Sequence, residues 1–133
     1  MKTTHWSLTG TALVLALAPW SAISVLADEA EDKAVKAIQK MGGRIDRDMK
    51  AKGKPIVSVV LDGPKVTDAG LKHLAGLKQL RALTLGGTKV TDKGLKHLAG
   101  LKQLRELILS GTKVTGKGKA DLKKALPKLK IID

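Results

Sequence analysis

The side chains that could perform chemistry are few and stand apart in the sequence. His73 and His97 are two of the three histidines, and each follows a lysine that would repel a metal cation. Ser58 and Ser110 have no histidine or carboxylate at a spacing that would activate a nucleophile. Cysteine is absent, and after residue 32 carboxylates occur singly. The sequence therefore predicts a protein that is not an enzyme and holds no metal or cofactor.

Positive charge is the main chemical feature of the chain. It contains 25 Lys and Arg against 12 Asp and Glu, a net charge of +13. Many of the cations recur every 24 residues, and we expect them to stack in columns on a convex, helical side. Binding of an anionic envelope polymer or a membrane surface would relieve the repulsion between them. The alternative is a solvated basic surface whose only role is to keep the protein soluble. The columns contain Lys65, Lys89, Lys113, Lys72, Lys96, Lys78, Lys102, Arg81 and Arg105.

Other ligands are not expected, because aromatic side chains are almost absent. Trp6 and Trp20 are the only aromatic residues, so the chain has little with which to stack on bases. The sequence predicts neither a nucleic-acid partner nor a small-molecule substrate.

The interval of 24 residues is an internal repeat. Residues 66–89 and 90–113 are identical at 20 of 24 positions. Within each copy, leucines spaced by two (Leu83 and Leu85) predict a strand, and leucines spaced by three (Leu71 and Leu74) predict a short helix. Half a copy precedes the two, and a degraded copy follows them. Stacked units of this kind bury a continuous leucine core that no single unit could form.

Polar residues and glycines predict how each helix begins and ends. Asp68 and Asp92 fall in the first helical turn, where negative charge is favoured. We expect Gly76 and Gly100 to end the helices in a left-handed conformation. The hydroxyls of Thr88 and Thr112 point inward and can satisfy backbone groups in the turn, whereas Pro64 at the equivalent position cannot.

These residues resemble the leucine-rich-repeat family, in the short form L-x-x-L-x-L-x-x-T-x-V-T-D-x-G-L-x-x-L found in small exported bacterial proteins. The resemblance covers residues 56–133 and rests on two nearly identical copies. It implies an α/β solenoid with a parallel sheet on the concave side, short helices on the convex side, and protein binding without catalysis. The same repeat type occurs in substrate adaptors of ubiquitin ligases, which also carry an F-box segment that we do not find in this sequence.

The residues before and after the repeats predict closed ends. Ala34, Val35, Ile38 and Met41 lie on one face of a predicted helix over residues 30–41, followed by two glycines. A hairpin then leads into the first repeat strand. We therefore assign residues 28–55 to an N-terminal cap and residues 56–133 to the repeats, of which residues 128–133 supply the last strand.

Differences between the two copies predict where a partner binds. Three of the four differing pairs alternate with buried leucines in the strands, and they therefore face the concave side of the sheet. The scaffold positions are identical, which favours a binding face for an unidentified protein partner. The predicted face contains Ser58, Val60, Asp62, Ala82, Thr84, Gly86, Glu106, Ile108 and Ser110.

The first 27 residues have the pattern of a secretory signal peptide. No charge occurs from Trp6 to Ala27, residues 12–18 are apolar, and small residues precede an abruptly acidic start at Asp28. We predict cleavage after Ala27 and a secreted or periplasmic protein. The alternative is an uncleaved segment that anchors the chain in a membrane.

Overall fold

The computed structural model describes the backbone of residues 19–133 and the side chains of residues 29–133. Most of the predicted signal peptide, residues 1–18, lies outside the described residues. The first helix, α1, spans Pro19–Lys40 and is longer than the predicted helix over residues 30–41. Among the described residues, no helix is both long enough and apolar enough to cross a membrane.

Helix α1 ends in the glycine pair that the sequence singled out. The N–H of Gly42 donates to Gln39 O over 3.0 Å and the N–H of Gly43 donates to Ile38 O over 2.8 Å. Gly42 has φ of +77°, as the residue after such a helix end requires. The side chains of Ala34 and Ile38 are fully buried, and Arg47 forms an ion pair with Glu31 of α1.

A five-stranded sheet follows in the order of the sequence. Strand β1 (Arg44–Arg47) pairs antiparallel with β2 (Ile56–Val60). Strands β3 (Ala82–Thr84), β4 (Glu106–Ile108) and β5 (Lys130–Ile132) continue the sheet in parallel, in the order β1-β2-β3-β4-β5. The register aligns Val59, Leu83, Leu107 and Ile131. The hairpin and the 24-residue strand register match the sequence pattern.

Helices connect the parallel strands and pack on one another. Helix α2 spans Asp68–Leu74, α3 spans Asp92–Leu95 and continues as a 3₁₀ turn over Lys96–Leu98, and α4 spans Gly116–Ala125. Contacts run from α1 to α2, from α2 to α3 and from α3 to α4. Because helices are wider than the spacing between strands, this layer forms the outer, convex side.

The core lies between the helices and one face of the sheet. It is built from leucines at equivalent positions, such as Leu74, Leu83 and Leu85 and their copies Leu98, Leu107 and Leu109, none more than 3% exposed. Leu122, Leu126 and Leu129 close it at the C-terminal side. This α/β architecture is compatible with a short leucine-rich-repeat solenoid.

The predicted left-handed glycines at the helix ends are wrong. Neither Gly76 nor Gly100 has a positive φ, whereas Gly63, Gly87 and Gly111 do. The helices are so short that they continue directly into tight turns, in which the N–H of Leu77 donates to Leu74 O over 2.9 Å and that of Leu101 donates to Leu98 O over 3.0 Å. The reversal that needs a left-handed residue lies after each strand instead.

Candidate binding surfaces

Aspartate side chains join each repeat to the next. Asp68 accepts hydrogen bonds from the Thr91 N–H at 2.7 Å and from the Thr91 hydroxyl at 2.6 Å. Asp92 accepts the same pair from Thr115, with the N–H at 2.7 Å. We call these two bonded pairs the Asp–Thr ladder. The hydroxyl and N–H of Thr115 lower the pKa of Asp92, against a smaller opposing effect of desolvation. The ladder ends at Gly116, which has no carboxylate.

The ladder explains why positions 94 and 118 are glycine. A Cβ on Gly94 would overlap Asp68 Oδ1 and lie 2.9 Å from Leu71 Cδ1. A Cβ on Gly118 would overlap the carboxylate of Asp92. Glycine at these two positions therefore leaves room for the aspartate of the preceding repeat, whereas a Cβ on Gly70 in the first copy would overlap Met41 Sδ.

Threonines in the turns after the strands act as the sequence predicts. The Thr88 hydroxyl donates to Leu85 O at 3.1 Å and that of Thr112 donates to Leu109 O at 2.8 Å. Thr88 is 3% exposed. These bonds fix the turns at the end of each strand.

The sheet face turned away from the helices is exposed in part. It consists of side chains that alternate with the buried Val59, Leu83 and Leu107. One row in register is β-branched and half-buried, and a second row is more polar. We call this surface the open sheet face. Its β-branched row is Val60, Thr84, Ile108 and Ile132, and its polar row is Ser58, Ala82, Glu106 and Lys130.

Six of the nine residues predicted for the concave face lie on these rows. The other three, Asp62, Gly86 and Ser110, follow the strands, where the N–H of Gly63 donates to Gly86 O over 3.1 Å and that of Gly87 donates to Ser110 O over 2.8 Å. Asp62 pairs with Arg44 at 3.9 Å.

Sequence reasoning missed four residues of this surface. Lys130 and Ile132 extend the two rows on β5, and Arg44 and Asp46 lie opposite Val60 and Ser58 on β1. Adding 24 to Glu106 and Ile108 would have found the first two. The antiparallel register of the hairpin was needed for the others.

The nine basic residues of the predicted columns are all exposed, but they occupy three different places. Lys72 and Lys96 lie on the convex layer. Lys65, Lys89 and Lys113 lie in the turns that lead from strand to helix. Lys78, Lys102, Arg81 and Arg105 lie in the turns that lead from helix to strand. The columns therefore do not form the single convex surface that the sequence predicted.

The two histidines hold equivalent positions in successive repeats. His73 is exposed near the end of α2, and His97 is half-buried in the 3₁₀ turn after α3. In the part of the chain whose residues are described, no three histidine, aspartate or glutamate side chains gather in a way that could hold a metal ion.

Comparisons with known proteins show a partial likeness to a solved structure. No protein-family model matches the chain, and no curated protein does. A solved leucine-rich-repeat protein of Leptospira interrogans is similar, with 31% identity and a TM-score of 0.39. The match covers 47% of this chain and 16% of that protein. The description of the fold therefore rests on the register and burial given above.

Proposed function

We propose that this protein is a non-catalytic interaction module that binds a protein partner through the open sheet face. The observation that carries the proposal is the row of Val60, Thr84, Ile108 and Ile132. These side chains are in register on adjacent strands and only half-buried. Contiguous exposed apolar side chains on a rigid element are typical of interaction sites.

The strands and short side chains of the open sheet face are already ordered before a partner binds. Strand pairing fixes the backbone, and β-branched side chains have few rotamers, so binding would order little on this side of the interface. The polar row places Glu106 beside Lys130, which supplies charges of both signs at one end of the face. Because the face has no Trp or Tyr anchor, we expect modest affinity.

We also propose that residues 1–27 act as a secretory signal that is cleaved after Ala27. Among the α1 side chains of residues 29–40, Ala34 and Ile38 are fully buried. Both follow the predicted cleavage site, so cleavage would leave them in the core. N-terminal sequencing of the protein from its native source would find Asp28 as the first residue. Finding Met1 in a membrane fraction would contradict cleavage and favour the anchor.

The open sheet face is tested with two variants that add the same charge on opposite sides. Ile108→Glu places a carboxylate in the β-branched row, and Ala120→Glu places one at an exposed position of α4. Each immobilised protein is exposed to an extract of the source cells and washed at about 1 M salt, where charges are screened beyond about 3 Å. We expect wild type and Ala120→Glu to retain the same protein and Ile108→Glu to lose it.

A third variant separates a lost surface from a lost fold. Thr84→Lys introduces the opposite charge in the same row and should also abolish retention, while far-ultraviolet circular dichroism stays that of wild type. Retention of the same protein by Ile108→Glu and Thr84→Lys would contradict the proposal. Equal loss in Ala120→Glu would contradict it as well.

A further inference from the structure

The turns that lead from helix to strand carry positive charge without any acid. Residues 76–81, 100–105 and 126–129 form three successive turns, and they contain five cations and no Asp or Glu. All five side chains are exposed. We call this surface the basic edge, and its residues are Lys78, Arg81, Lys102, Arg105 and Lys128.

Backbone hydrogen bonds place the two arginines of the basic edge side by side at the starts of neighbouring strands. The N–H of Arg81 donates to Val57 O, that of Arg105 donates to Arg81 O, and that of Lys130 donates to Arg105 O, each at 2.8 Å. Neighbouring strands are about 4.8 Å apart, so the backbones of Arg81 and Arg105, from which the two guanidinium side chains extend, are separated by about that distance. Their alignment follows from the solenoid and does not depend on flexible loops.

The lysines of the basic edge also occupy equivalent positions in neighbouring turns. The turns share one geometry, since the N–H of Leu80 donates to Leu77 O at 3.1 Å and that of Leu104 donates to Leu101 O at 3.0 Å. Lys78 Nζ lies 3.7 Å from the position that a Cβ on Gly100 would take, so this ammonium reaches over the next repeat. Lys102, Arg105 and Lys128 line an open depression of about 250 Å³ together with Ala125, Leu126 and Pro127.

The cations of the basic edge have no ion-pair partner among the described side chains. Among the side chains of residues 29–133, the cations in ion pairs are Arg44, Arg47 and Lys119, none of which belongs to this edge. Stacked, unpaired cations repel one another, and an external anion would relieve that repulsion.

We propose that the basic edge binds a linear polymer that carries sulfate or phosphate groups, with the polymer lying along the solenoid axis. The arginine fork matches the oxygens of such groups, and a line of cations about 5 Å apart matches a regular chain of anions better than a single small ion. Nucleic acid is disfavoured because the chain has no aromatic residue after Trp20 on which bases could stack.

The experiment compares two variants of the full chain with equal net charge. The edge variant is Lys78→Gln, Arg81→Gln, Lys102→Gln and Arg105→Gln. The control variant is Lys65→Gln, Lys72→Gln, Lys89→Gln and Lys113→Gln, which removes four exposed cations elsewhere. Binding of heparin, as the sulfated probe, and of long-chain polyphosphate is measured by calorimetry at about 0.15 M salt, with circular dichroism as the check on folding.

We expect the edge variant to bind at least about tenfold more weakly than wild type and the control variant to change by less than about threefold, because scattered surface charges contribute little. Binding of heparin alone identifies sulfate as the source, and binding of polyphosphate alone identifies phosphate. The variant Ile108→Glu should leave this binding unchanged, so failure of the open sheet face and failure of the basic edge are distinguishable.

Three results would overturn the proposal. Equal weakening in the edge and control variants would show that only net charge matters. Absence of binding to both heparin and polyphosphate at about 0.15 M salt would show that the basic edge is not a binding surface for such polymers. Tighter binding of single-stranded DNA, or of vesicles of anionic phospholipid, than of either polymer would assign the edge to another class of partner.

Discussion

The two edges of the solenoid differ in what their charged side chains do. On the strand-to-helix edge, Asp68 and Asp92 are each bonded to a threonine of the next repeat. On the helix-to-strand edge, the cations of the basic edge have no ion-pair partner among the described side chains. Charge with an internal partner holds the repeats together, and charge without one is available to an external ligand. Substitutions in the Asp–Thr ladder and at the basic edge should therefore affect stability very differently.

The largest effect is expected where a side chain would displace the Asp–Thr ladder. Gly94→Ala should destabilise the protein by about 3 kcal/mol, from overpacking together with the loss of hydrogen bonds to Asp68. Urea unfolding measures this change in the free energy of unfolding. The control is Gly86→Ala, where a Cβ meets no atom within 4 Å and φ is not positive. A loss below about 0.5 kcal/mol in Gly94→Ala would contradict the packing account.

A smaller loss is expected when one hydroxyl is removed from the ladder. Thr91→Val removes the bond to Asp68 and the helix cap on the Lys93 N–H, and should cost about 1–2 kcal/mol of unfolding free energy. Thr67→Val is the matched control, since Thr67 precedes the first repeat helix without a side-chain cap bond. Urea unfolding of both variants tests the prediction. An equal loss of unfolding free energy in Thr91→Val and Thr67→Val would show that the bond to Asp68 does not stabilise the protein.

Acid should weaken the same edge. Hydrogen bonds from Thr115 hold the pKa of Asp92 below its ordinary value, so ionised Asp92 stabilises the fold above about pH 4. This contribution is lost as the pH falls through the lowered pKa, because protonation then removes the favoured form. Melting temperatures between about pH 6 and pH 2 should fall more for wild type than for Asp92→Asn. An equal fall in melting temperature for wild type and Asp92→Asn would contradict a stabilising role for ionised Asp92.

The smallest effect on stability is expected at the basic edge. The edge variant should change the free energy of unfolding by no more than about 0.5 kcal/mol, and in the stabilising direction, because it relieves repulsion between exposed cations. The control variant at Lys65, Lys72, Lys89 and Lys113 should behave alike. A loss above about 1 kcal/mol in the edge variant alone would show that these side chains support the fold.

The sequence was sufficient to predict the scaffold because the scaffold repeats. The interval of 24 residues predicts that Leu83 and Leu107 lie side by side, and the strand register has them so. The same alternation predicts which strand residues face away from the core. Because the two copies are identical at 20 of 24 positions, the structure assigned to one copy predicts that of the next.

The Asp–Thr ladder could not be predicted from one repeat. Asp68 reaches Thr91 across 23 residues, and only the stacking of α2 on α3 brings them together. Taken alone, an aspartate in a first helical turn suggests a helix-dipole interaction. The glycine at position 94 was the available signal, because it recurs two residues after each aspartate of the motif.

The ends of the open sheet face were missed for another reason. The last copy is degraded, and α4 has 10 residues where α2 has 7, so its leucines do not align simply with those before. The interval of 24 residues still holds in the last strand, so it was the signal that could have placed Lys130 and Ile132 beside Glu106 and Ile108. Arg44 and Asp46 lie outside the repeats, and only the antiparallel pairing of β1 with β2 brings them to this face.

Site-specific photo-crosslinking tests the proposed function most directly. A photoreactive amino acid is placed at Ile108 in the β-branched row, and at Ala120 on the convex side as the control. After irradiation in the source cells, we expect a covalent complex with a protein from position 108 and none from position 120. A protein adduct that forms from position 120 and not from position 108 would contradict the assignment of the open sheet face.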